Sequence, residues 1–314
     1  MSNNYFKVIR PGINSTFQDK GRSNLYHLGI PFSGAMDNRN YLLANKLVQN
    51  ELNNPVIEFA YQGPYLRYIG EKINIAITGD ITFKIKSKTS EFDGKCYETY
   101  EINNGDEIDI LSTNKSVYGY LSLNGKLDVN FQWGSCSTNT KSNIGANGGK
   151  KLQDEQIIKI LKINKGFSKK VVNYHNSKIE KIRVIKGTNF NYFSETAIKN
   201  FFNKEFKVSK LSDRMGMRLE GPQLENINNT NIKSEGLIKG VVQVPGDGNP
   251  IIMLSDHGTI GGYPKIAVII SADYDRLVQL APGAKIKFQE VELSNAERLF
   301  KMYEMETQNL LNQI

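Results

Sequence analysis

Alternating hydrophobic and polar positions recur along most of the chain. Lys72–Thr78 places its three isoleucines on one face of an extended segment, because side chains alternate sides along a strand. Ile81–Lys86 repeats the pattern, and Gly79 and Asp80 between the two segments are typical turn residues. Further strands are predicted at Glu107–Leu111, Val117–Leu123, Gln156–Ile163, Lys181–Lys186, Leu237–Val244, Ile251–Ser255, Ile266–Ile270 and Ala284–Gln289. The sequence therefore predicts a mainly β protein whose strand edges are closed or covered.

A few segments carry helical spacing instead, each preceded by a residue that can cap a helix. The predicted helices are Asn38–Gln49 after Asp37, Glu195–Asn203 after Ser194, and a tail helix through about Leu311 that starts at the capping box of Ser294 and Glu297. We therefore expect a mainly β fold with a few helices.

The length of 314 residues favours two domains, at ~100–200 residues per domain. The polar stretch Asn164–Lys178 separates two strand-rich halves. We expect an N-terminal β-rich domain with one helix over residues 1–170, a C-terminal β domain over 171–293, and a tail helix over 294–314.

Composition narrows the class of protein. The 40 Lys and Arg exceed the 32 Asp and Glu by eight, but the lysines are spread along the chain, so we expect no nucleic-acid partner. Two cysteines and three histidines have no zinc-ligand spacing, so no metal site is predicted. No apolar run reaches the ~18–20 residues of a membrane span, and no signal peptide is evident. We expect a cytoplasmic chain, with no membrane partner, whose cysteines are free thiols.

Glycine and polar residues concentrate in four loops that are candidates for a site: Pro11–Arg22, Gly29–Asp37, Ser212–Pro222 and Gln243–Lys265. The second of these leads directly into a predicted helix, whose backbone N–H groups and positive dipole end favour an anion. Asp37 there either belongs to the site or only caps the helix. Arg214 and Arg218, four residues apart, would face one side of a strand and either grip an anion or pair with neighbouring acidic residues.

The densest of these loops is Ser255–Lys265. Its glycines allow the backbone to approach a ligand closely, while Asp256, His257, Tyr263 and Lys265 supply titratable groups. For His257, a structural hydrogen-bonding role stays open beside a catalytic one. The sequence contains neither a G-x-x-x-x-G-K-[ST] phosphate loop nor a G-x-S-x-G nucleophile elbow.

Taken in order, these segments resemble the biotin-dependent carboxyltransferase family, which includes the C subunit of 5-oxoprolinase and the second subunit of allophanate hydrolase. The residues that carry the resemblance are Pro11-Gly12, Gln18-Asp19-x-Gly21-Arg22, Gly29-x-Pro31-x-Ser33-Gly34-Ala35-Met36-Asp37, Ala44-Asn45-x-Leu47-Val48, Glu58, Gly63-Pro64, Gly134-Ser135-x-Ser137-Thr138, Ser212-Asp213-Arg214-Met215-Gly216, Leu219-x-Gly221-Pro222, Gln243-Val244-Pro245, Gly261-Gly262-Tyr263-Pro264-Lys265, Ile270-Ser271-Ala272-Asp273 and Leu280-x-Pro282-Gly283. The resemblance extends from about Pro11 to Phe288, which is nearly the whole chain.

Membership would imply two β-rich domains with a cyclophilin-like β-barrel, and a subunit that is not active alone. The first expectation is the C subunit of a 5-oxoprolinase, acting with companion subunits B and A in the ATP-dependent hydrolysis of 5-oxo-L-proline to L-glutamate. One alternative is a carboxyltransferase subunit that moves a carboxyl group from carboxybiotin to urea or another amide. Another is a non-catalytic regulatory subunit of the type that antagonises a kinase inhibitor.

The cofactors implied belong to the assembly. ATP is expected at that level, and any biotin is carried by another chain, because Lys301-Met302 is not part of a Met-Lys-Met turn. A small amide is the implied substrate.

Residue type and family position together suggest roles for nine residues. The expected catalytic residues, lining a groove as one polar cluster, are Lys265, Tyr263 and Asp256. The expected substrate-binding residues are Arg214 and Arg218 for an anionic group, Gln243 for an amide, and Ser33, Gly34 and Asp37 in an opposing loop. The chain reads His257-Gly258-Thr259-Ile260 where the family usually has x-Gln-Thr-Thr, so one amide and one hydroxyl are missing from the densest loop. This departure leaves the substrate preference open.

Overall fold

The computed structural model describes residues 4–166, 168–174, 181–228 and 231–314. The chain forms two compact units, each assembled from separate stretches of sequence. The first unit contains Met1–Arg22, Asp37–His175 and Thr307–Ile314, and the second contains Ser23–Met36 and Asn176–Glu306. These units differ from the contiguous ranges 1–170 and 171–293, because a short N-terminal segment belongs to the second unit and the chain end to the first. Part of the expected boundary stretch, at residues 167 and 175–178, lies outside the described residues.

The first unit is built from two antiparallel sheets and one helix. Its elements are β1 Tyr5–Arg10, β2 Thr16–Gln18, α1 Asn38–Leu47, β3 Val56–Ala60, β4 Tyr65–Ile69, β5 Ile73–Thr78, β6 Ile81–Lys86, β7 Glu91–Asp93, β8 Thr99–Ile102, β9 Glu107–Thr113, β10 Tyr118–Leu123, β11 Gly125–Leu127 and β12 Ile157–Ile163. A seven-stranded sheet has the order β11-β12-β1-β4-β9-β6-β7, and a five-stranded sheet has the order β2-β3-β10-β5-β8.

The core of the first unit draws side chains from both sheets. Phe6 of β1 and Ile108 of β9 belong to the same buried cluster as Ile75 of β5. Ala76, which points to the opposite face of β5, instead packs with Leu47 of α1. Because β5 is covered on both faces, all six of its residues are buried.

The predicted cap of α1 is present. The Asp37 side chain accepts a hydrogen bond from the backbone N–H of Asn40 at 3.0 Å, which satisfies one of the free donors at the helix start. The helix ends at Leu47, two residues before its predicted end, and Gln49 adopts a left-handed φ of 58°.

The turn at Gly79 and Asp80 connects strands of different sheets. The equal patterns of β5 and β6 suggest neighbouring strands, but β5 pairs with β8 and β10, whereas β6 pairs with β7 and β9. Gly79 has a φ of 119°, a conformation that favours glycine, and its N–H donates to the Tyr97 hydroxyl. Alternation predicted the strands, but not the sheet to which each belongs.

The second unit contains a closed barrel. Its elements are β13 Lys181–Lys186, α2 Glu195–Asn203, β14 Phe206–Val208, β15 Gly216–Glu220, β16 Glu235–Gly236, β17 Val241–Gln243, β18 Ile251–Met253, β19 Ile260–Gly261, β20 Lys265–Ile269, α3 Ser271–Val278, β21 Lys285–Glu290 and α4 Leu293–Asn312, of which the last residues belong to the first unit. The barrel has the order β13-β20-β17-β18-β15-β14-β21, and the parallel pair β13–β21 closes it. A short separate sheet joins β16 to β19. A mainly β fold with a β-barrel and, in the described residues, four α-helices confirms the predicted fold class.

The helices of the second unit agree only partly with the sequence prediction. Helix α2 has the predicted bounds, and the Ser194 side chain accepts from the Ala197 N–H at 3.1 Å. Helix α3 was not predicted, because it is short and follows Ile270, which makes no side-chain cap. The predicted capping box of α4 is wrong, since the helix begins at Leu293 and Ser294 therefore lies inside its first turn. Among the described residues, no helix is long and apolar enough to cross a membrane.

Candidate functional site

Two loops that are far apart in sequence meet in the second unit. The Ser33 N–H donates to the Ser255 carbonyl at 2.9 Å, and the Gly34 carbonyl accepts from the Arg214 guanidinium at 2.7 Å. Ser33 and Gly34 have φ values of 57° and 84°, so the chain turns sharply where it contacts the other loop. The predicted convergence of the Gly29–Asp37 loop on the Asp256 loop is therefore present for Ser33 and Gly34.

Arg214 and Asp256 form a bidentate ion pair. Arg214 Nε lies 2.8 Å from Asp256 Oδ2, and Nη2 donates to Oδ1 at 3.1 Å. The backbone N–H of Asp256 also donates to the Arg214 carbonyl at 2.9 Å. Only 16% of the arginine side chain and 4% of the aspartate side chain are exposed. Together with the bond to Gly34, the guanidinium thus spends at least three of its five N–H donors on protein groups.

His257, next along the loop, is held in one neutral tautomer. Its Nδ1 lies 2.6 Å from the Gly258 carbonyl, which can only accept, so Nδ1 carries the proton. Nε2 then accepts from the Tyr26 hydroxyl at 3.3 Å. Burial lowers the pKa of His257 from 6.5, and burial raises the pKa of Tyr26. These two hydrogen bonds agree with a structural hydrogen-bonding role for His257, which is one of the two roles that the sequence left open.

Lys239 lies beside these residues, although no sequence pattern singled it out. Its Nζ is 4.3 Å from the ring centroid of Tyr274 and 6.0 Å from that of Phe32. Burial is the main cause that lowers the pKa of Lys239 from 10.5, and Arg214 adds to it, while Asp275 opposes it. Lys239 fell within a predicted strand, but β17 begins only at Val241, so no periodicity marked its side chain. We call the set of Tyr26, Phe32, Arg214, Lys239, Asp256 and His257 the Asp256 cluster.

Lys265 belongs to a different set of contacts. Its Nζ lies 2.6 Å from Glu235 Oε2, with 5% of the lysine side chain but 46% of the glutamate side chain exposed. The backbone N–H of Lys265 donates to Asn189 Oδ1 at 3.0 Å. The partly exposed carboxylate of Glu235 therefore lies between the buried Lys265 ammonium and the solvent. Nothing in the sequence singled out Glu235, which is 30 residues away.

Gln243 and Tyr263 lie next to this pair. The Gln243 side-chain amide donates to the Tyr263 carbonyl at 3.0 Å, and Gln243 is opposite Lys265 in the β17–β20 ladder. A Cβ on Gly261 would come within 2.7 Å of Gln243 Nε2, so glycine is required there for the close approach. The Tyr263 residue is 40% exposed. We call Glu235, Gln243, Tyr263 and Lys265 the Lys265 cluster.

The contacts divide the predicted catalytic residues between two clusters. Asp256 pairs with Arg214, whereas Lys265 pairs with Glu235, so the two side chains have different partners, and the expectation that they line one groove stays a prediction. Tyr263 contributes its carbonyl to the second cluster. The chemical roles of these three residues stay a prediction.

Two of the predicted binding residues lie elsewhere. Arg218 is an exposed residue of β15, where alternation buries Met217 and Leu219 and turns the arginine outward. Arg214 precedes that strand, so the expected pairing of the two arginines on one strand face is wrong. Asp37 belongs to the first unit, where it caps α1.

A buried carboxylate organises the loops of the first unit. Asp19 accepts from the hydroxyls of Ser135 and Ser137 and from the backbone N–H groups of Gly21 and Cys136. Burial, together with the nearby Asp19 charge, raises the pKa of the Cys136 thiol. The hydrogen bonds of Asp19 thus hold the loop that contains it against the loop at residues 135–137. In the described part of the chain, no group of three His, Cys, Asp or Glu side chains is arranged to hold a metal ion.

Comparison with known proteins places this geometry in a family. A model of the carboxyltransferase domain, subdomain A and B, matches residues 28–290. The chain is 31% identical to the C subunit of 5-oxoprolinase from Escherichia coli K12 over 299 residues, which covers 92% of both chains. It is 27% identical to the urea amidolyase of Saccharomyces cerevisiae, over 93% of this chain and 17% of that protein.

A solved structure shares the fold over nearly the full chain. The crystal structure of the K. lactis urea amidolyase superposes with a TM-score of 0.90 and 26% identity, covering 99% of this chain and 20% of the larger one. The matched residues 28–290 include both the Asp256 cluster, apart from Tyr26, and the Lys265 cluster. The chain therefore belongs to the carboxyltransferase family of subdomains A and B.

Proposed function

We propose that this chain is the C subunit of a 5-oxoprolinase, which acts with companion subunits B and A to hydrolyse 5-oxo-L-proline to L-glutamate at the expense of ATP. The observation that carries the proposal is the 31% identity to a protein of that name over 92% of both chains. The corresponding 5-oxoprolinase subunit of Haemophilus influenzae is also 31% identical, over 93% of both chains. The comparison therefore takes in nearly all of each of these two relatives.

The carboxyltransferase alternative also has support. The urea amidolyase of S. cerevisiae is 27% identical, and the K. lactis protein of the same name shares the fold. Both reactions act on an amide nitrogen or its carbonyl carbon, so one site architecture can serve either. In the alternative, this chain moves a carboxyl group from carboxybiotin held by another chain to urea or a related amide.

The Lys265 cluster is the proposed acid–base site. Hydrolysis of the ring amide breaks the C–N bond, places the hydroxyl of water on the carbonyl carbon and requires a proton on the nitrogen. The Lys265 ammonium is buried at Glu235, whose exposed carboxylate can return a proton from solvent. Gln243 and Tyr263, next to Lys265, are proposed to orient the amide and the departing nitrogen.

The Asp256 cluster is proposed to hold the substrate loop. Asp256 fixes Arg214, and Arg214 in turn fixes the carbonyl of Gly34. Ser33 and Gly34 then present their turn to the substrate. Asp256 acts here as a positioning residue, and the proposal gives no substrate contact to Arg218 or Asp37.

The charged residues of the two clusters do not fit the triphosphate of ATP. Arg214 and Lys265 are each compensated by a carboxylate, and the single charge of Lys239 is too little for a polyanion. We therefore propose that ATP binds elsewhere in the assembly. The proposal places the assembly in the cytoplasm, where the free thiols Cys96 and Cys136 remain reduced.

Reconstitution of the assembly tests the proposal. The chain is mixed with its companion subunits B and A, ATP and 5-oxo-L-proline, and the release of L-glutamate is measured. Glutamate release that depends on this chain and on ATP is the expected result. A verified assembly that releases none, but carboxylates urea from a carboxylated biotin carrier, would establish the alternative instead.

The regulatory alternative makes a different prediction. A non-catalytic subunit would bind its companion tightly and catalyse neither reaction. Lys265→Met would then leave companion binding unchanged, and neither the wild type nor the variant would turn over either substrate.

A further inference from the structure

In the described part of the chain, the Lys239 ammonium lies beside two aromatic rings and has no protein acceptor for its hydrogens. Tyr274 and Phe32 lie beside Nζ at 4.3 and 6.0 Å from their centroids. Ring faces stabilise the positive charge, yet an ammonium carries three N–H donors that need oxygen or nitrogen acceptors. Within the described residues, no protein acceptor lies within hydrogen-bonding or ion-pair distance of Nζ. The position is therefore suited to a ligand that brings its own oxygens.

The neighbouring charges compensate the Lys239 ammonium only in part. Arg214 is paired with Asp256, and burial lowers the pKa of His257, which favours the neutral imidazole. Asp275 acts on Lys239 from a distance, but its carboxylate accepts a hydrogen bond from the Tyr303 hydroxyl. A small anion at Lys239 would thus complete the charge balance of the Asp256 cluster.

We propose that Lys239 binds the carboxylate of a small cyclic amide substrate, with the apolar part of the ring against Phe32 and Tyr274. This inference rests on the proposed function, because 5-oxo-L-proline is a five-membered amide ring with one carboxylate. The ammonium supplies a point charge for that carboxylate, and the two aromatic rings supply the surface for the methylene groups. The carbonyl carbon, which water attacks, lies on the far side of the ring nitrogen from the carbon that bears the carboxylate, so the reacting carbon does not need Lys239.

Substrate binding and turnover should therefore respond differently to a change at this position. Lys239→Met keeps much of the length of the side chain and removes its charge, so it should weaken the binding of 5-oxo-L-proline by roughly 10–100-fold, the loss expected for a charge-assisted hydrogen bond. The KM for 5-oxo-L-proline should rise in proportion while kcat changes little. Lys239→Arg, which keeps a cation that packs well on aromatic rings, should restore most of the affinity.

A ligand without the carboxylate is the matched control. 2-Pyrrolidinone has the same ring and amide, so it should bind the wild type and Lys239→Met equally weakly. Lys199→Met, which removes a lysine that is 73% exposed on α2, should behave as wild type. Deprotonation of Lys239 should also weaken binding of the carboxylate ligand at a pH below 10.5, because burial and Arg214 lower its pKa while Asp275 opposes them. The other groups that face Nζ are the neutral His257 and the two aromatic rings.

Calorimetric titration of the assembled subunits with the two ligands measures binding, and glutamate release measures turnover. Together they separate a failure of this inference from a failure of the proposed function. Binding that depends on Lys239, without turnover, supports the inference and refutes the proposed function. Turnover with unchanged binding in Lys239→Met refutes the inference and supports the function. The absence of both binding and turnover in the wild type refutes both. Circular dichroism and melting temperature of Lys239→Met and Lys239→Arg establish that each variant is folded.

Discussion

Removal of either half of the Arg214–Asp256 pair should destabilise the second unit strongly. Asp256→Asn preserves the shape of the side chain but removes its charge, and Arg214→Met preserves much of the apolar stem. The two side chains are only 16% and 4% exposed, so each variant leaves the remaining charge with little access to water. Breaking a buried pair in this way typically costs about 3–5 kcal/mol of the free energy of unfolding.

The double variant separates the interaction from the side chains themselves. With both charges gone, neither is left unpaired, so Arg214→Met with Asp256→Asn should lose less than the sum of the single losses. Residues in direct contact show coupling energies of about 0.5–3 kcal/mol. For a bidentate pair we expect at least about 1 kcal/mol, since two charge-assisted hydrogen bonds are lost together.

Urea unfolding, followed by circular dichroism, measures these free energies. Lys186→Met serves as the control in the same unit, because its ion pair with Glu290 is exposed at 54% and 37% and should contribute no more than about 1 kcal/mol. A loss in Asp256→Asn as small as that of the control would refute the argument that a buried pair holds this loop.

The same variants test the role of Asp256 in turnover. If Asp256 only positions Arg214, then adding Asp256→Asn to Arg214→Met should not lower glutamate release any further. An additional loss in the double variant would show that Asp256 acts on the reaction by itself.

Other variants address the remaining features of the molecule. Lys265→Met should lower glutamate release at least ~10²-fold if the ammonium does acid–base work, and Lys199→Met should not; an unchanged rate would leave Lys265 a structural role. Because burial lowers the pKa of His257 below its unfolded value of 6.5, its contribution to stability is complete above pH 6.5 and is lost as the pH falls below it. Unfolding of His257→Gln should therefore depend less on pH between about pH 7 and 5 than unfolding of the wild type, and equal slopes would count against a buried neutral imidazole. Gly12→Ala and Gly29→Ala both introduce a side chain at positive φ, which should lower the free energy of unfolding by about 1–2 kcal/mol in each variant. Gly12→Ala should lower the melting temperature further, because its Cβ would lie 2.5 Å from a carbonyl oxygen, whereas Gly29 has open space, and equal shifts would show that the close approach can relax.

Local signals predicted the elements that short stretches of chain can specify. Helix α2 follows from an apolar stripe and the Ser194 cap, and β13 follows from alternation alone. Each depends on contacts between residues a few positions apart, or on one buried face. The prediction failed at Ser294, where a plausible cap lies one residue inside the helix, because the chain had already turned helical at Leu293.

The sequence by itself determined that this chain forms strands with a few capped helices, and that its glycine-containing loops belong to the carboxyltransferase family. Alternation and helix capping depend on residues a few positions apart, and the family motifs are short stretches of sequence. The tertiary structure alone decided which of those loops meet and which charges pair. Arg214 is 42 residues from Asp256 and 180 from Gly34, and Lys265 is 30 from Glu235. Such pairs form only after barrel closure and loop placement bring the side chains together, so no local pattern distinguishes the partner of a lysine from any other acidic residue. For the same reason no local pattern marked Lys239, because the fold brings the rings of Phe32 and Tyr274 to it from distant parts of the chain.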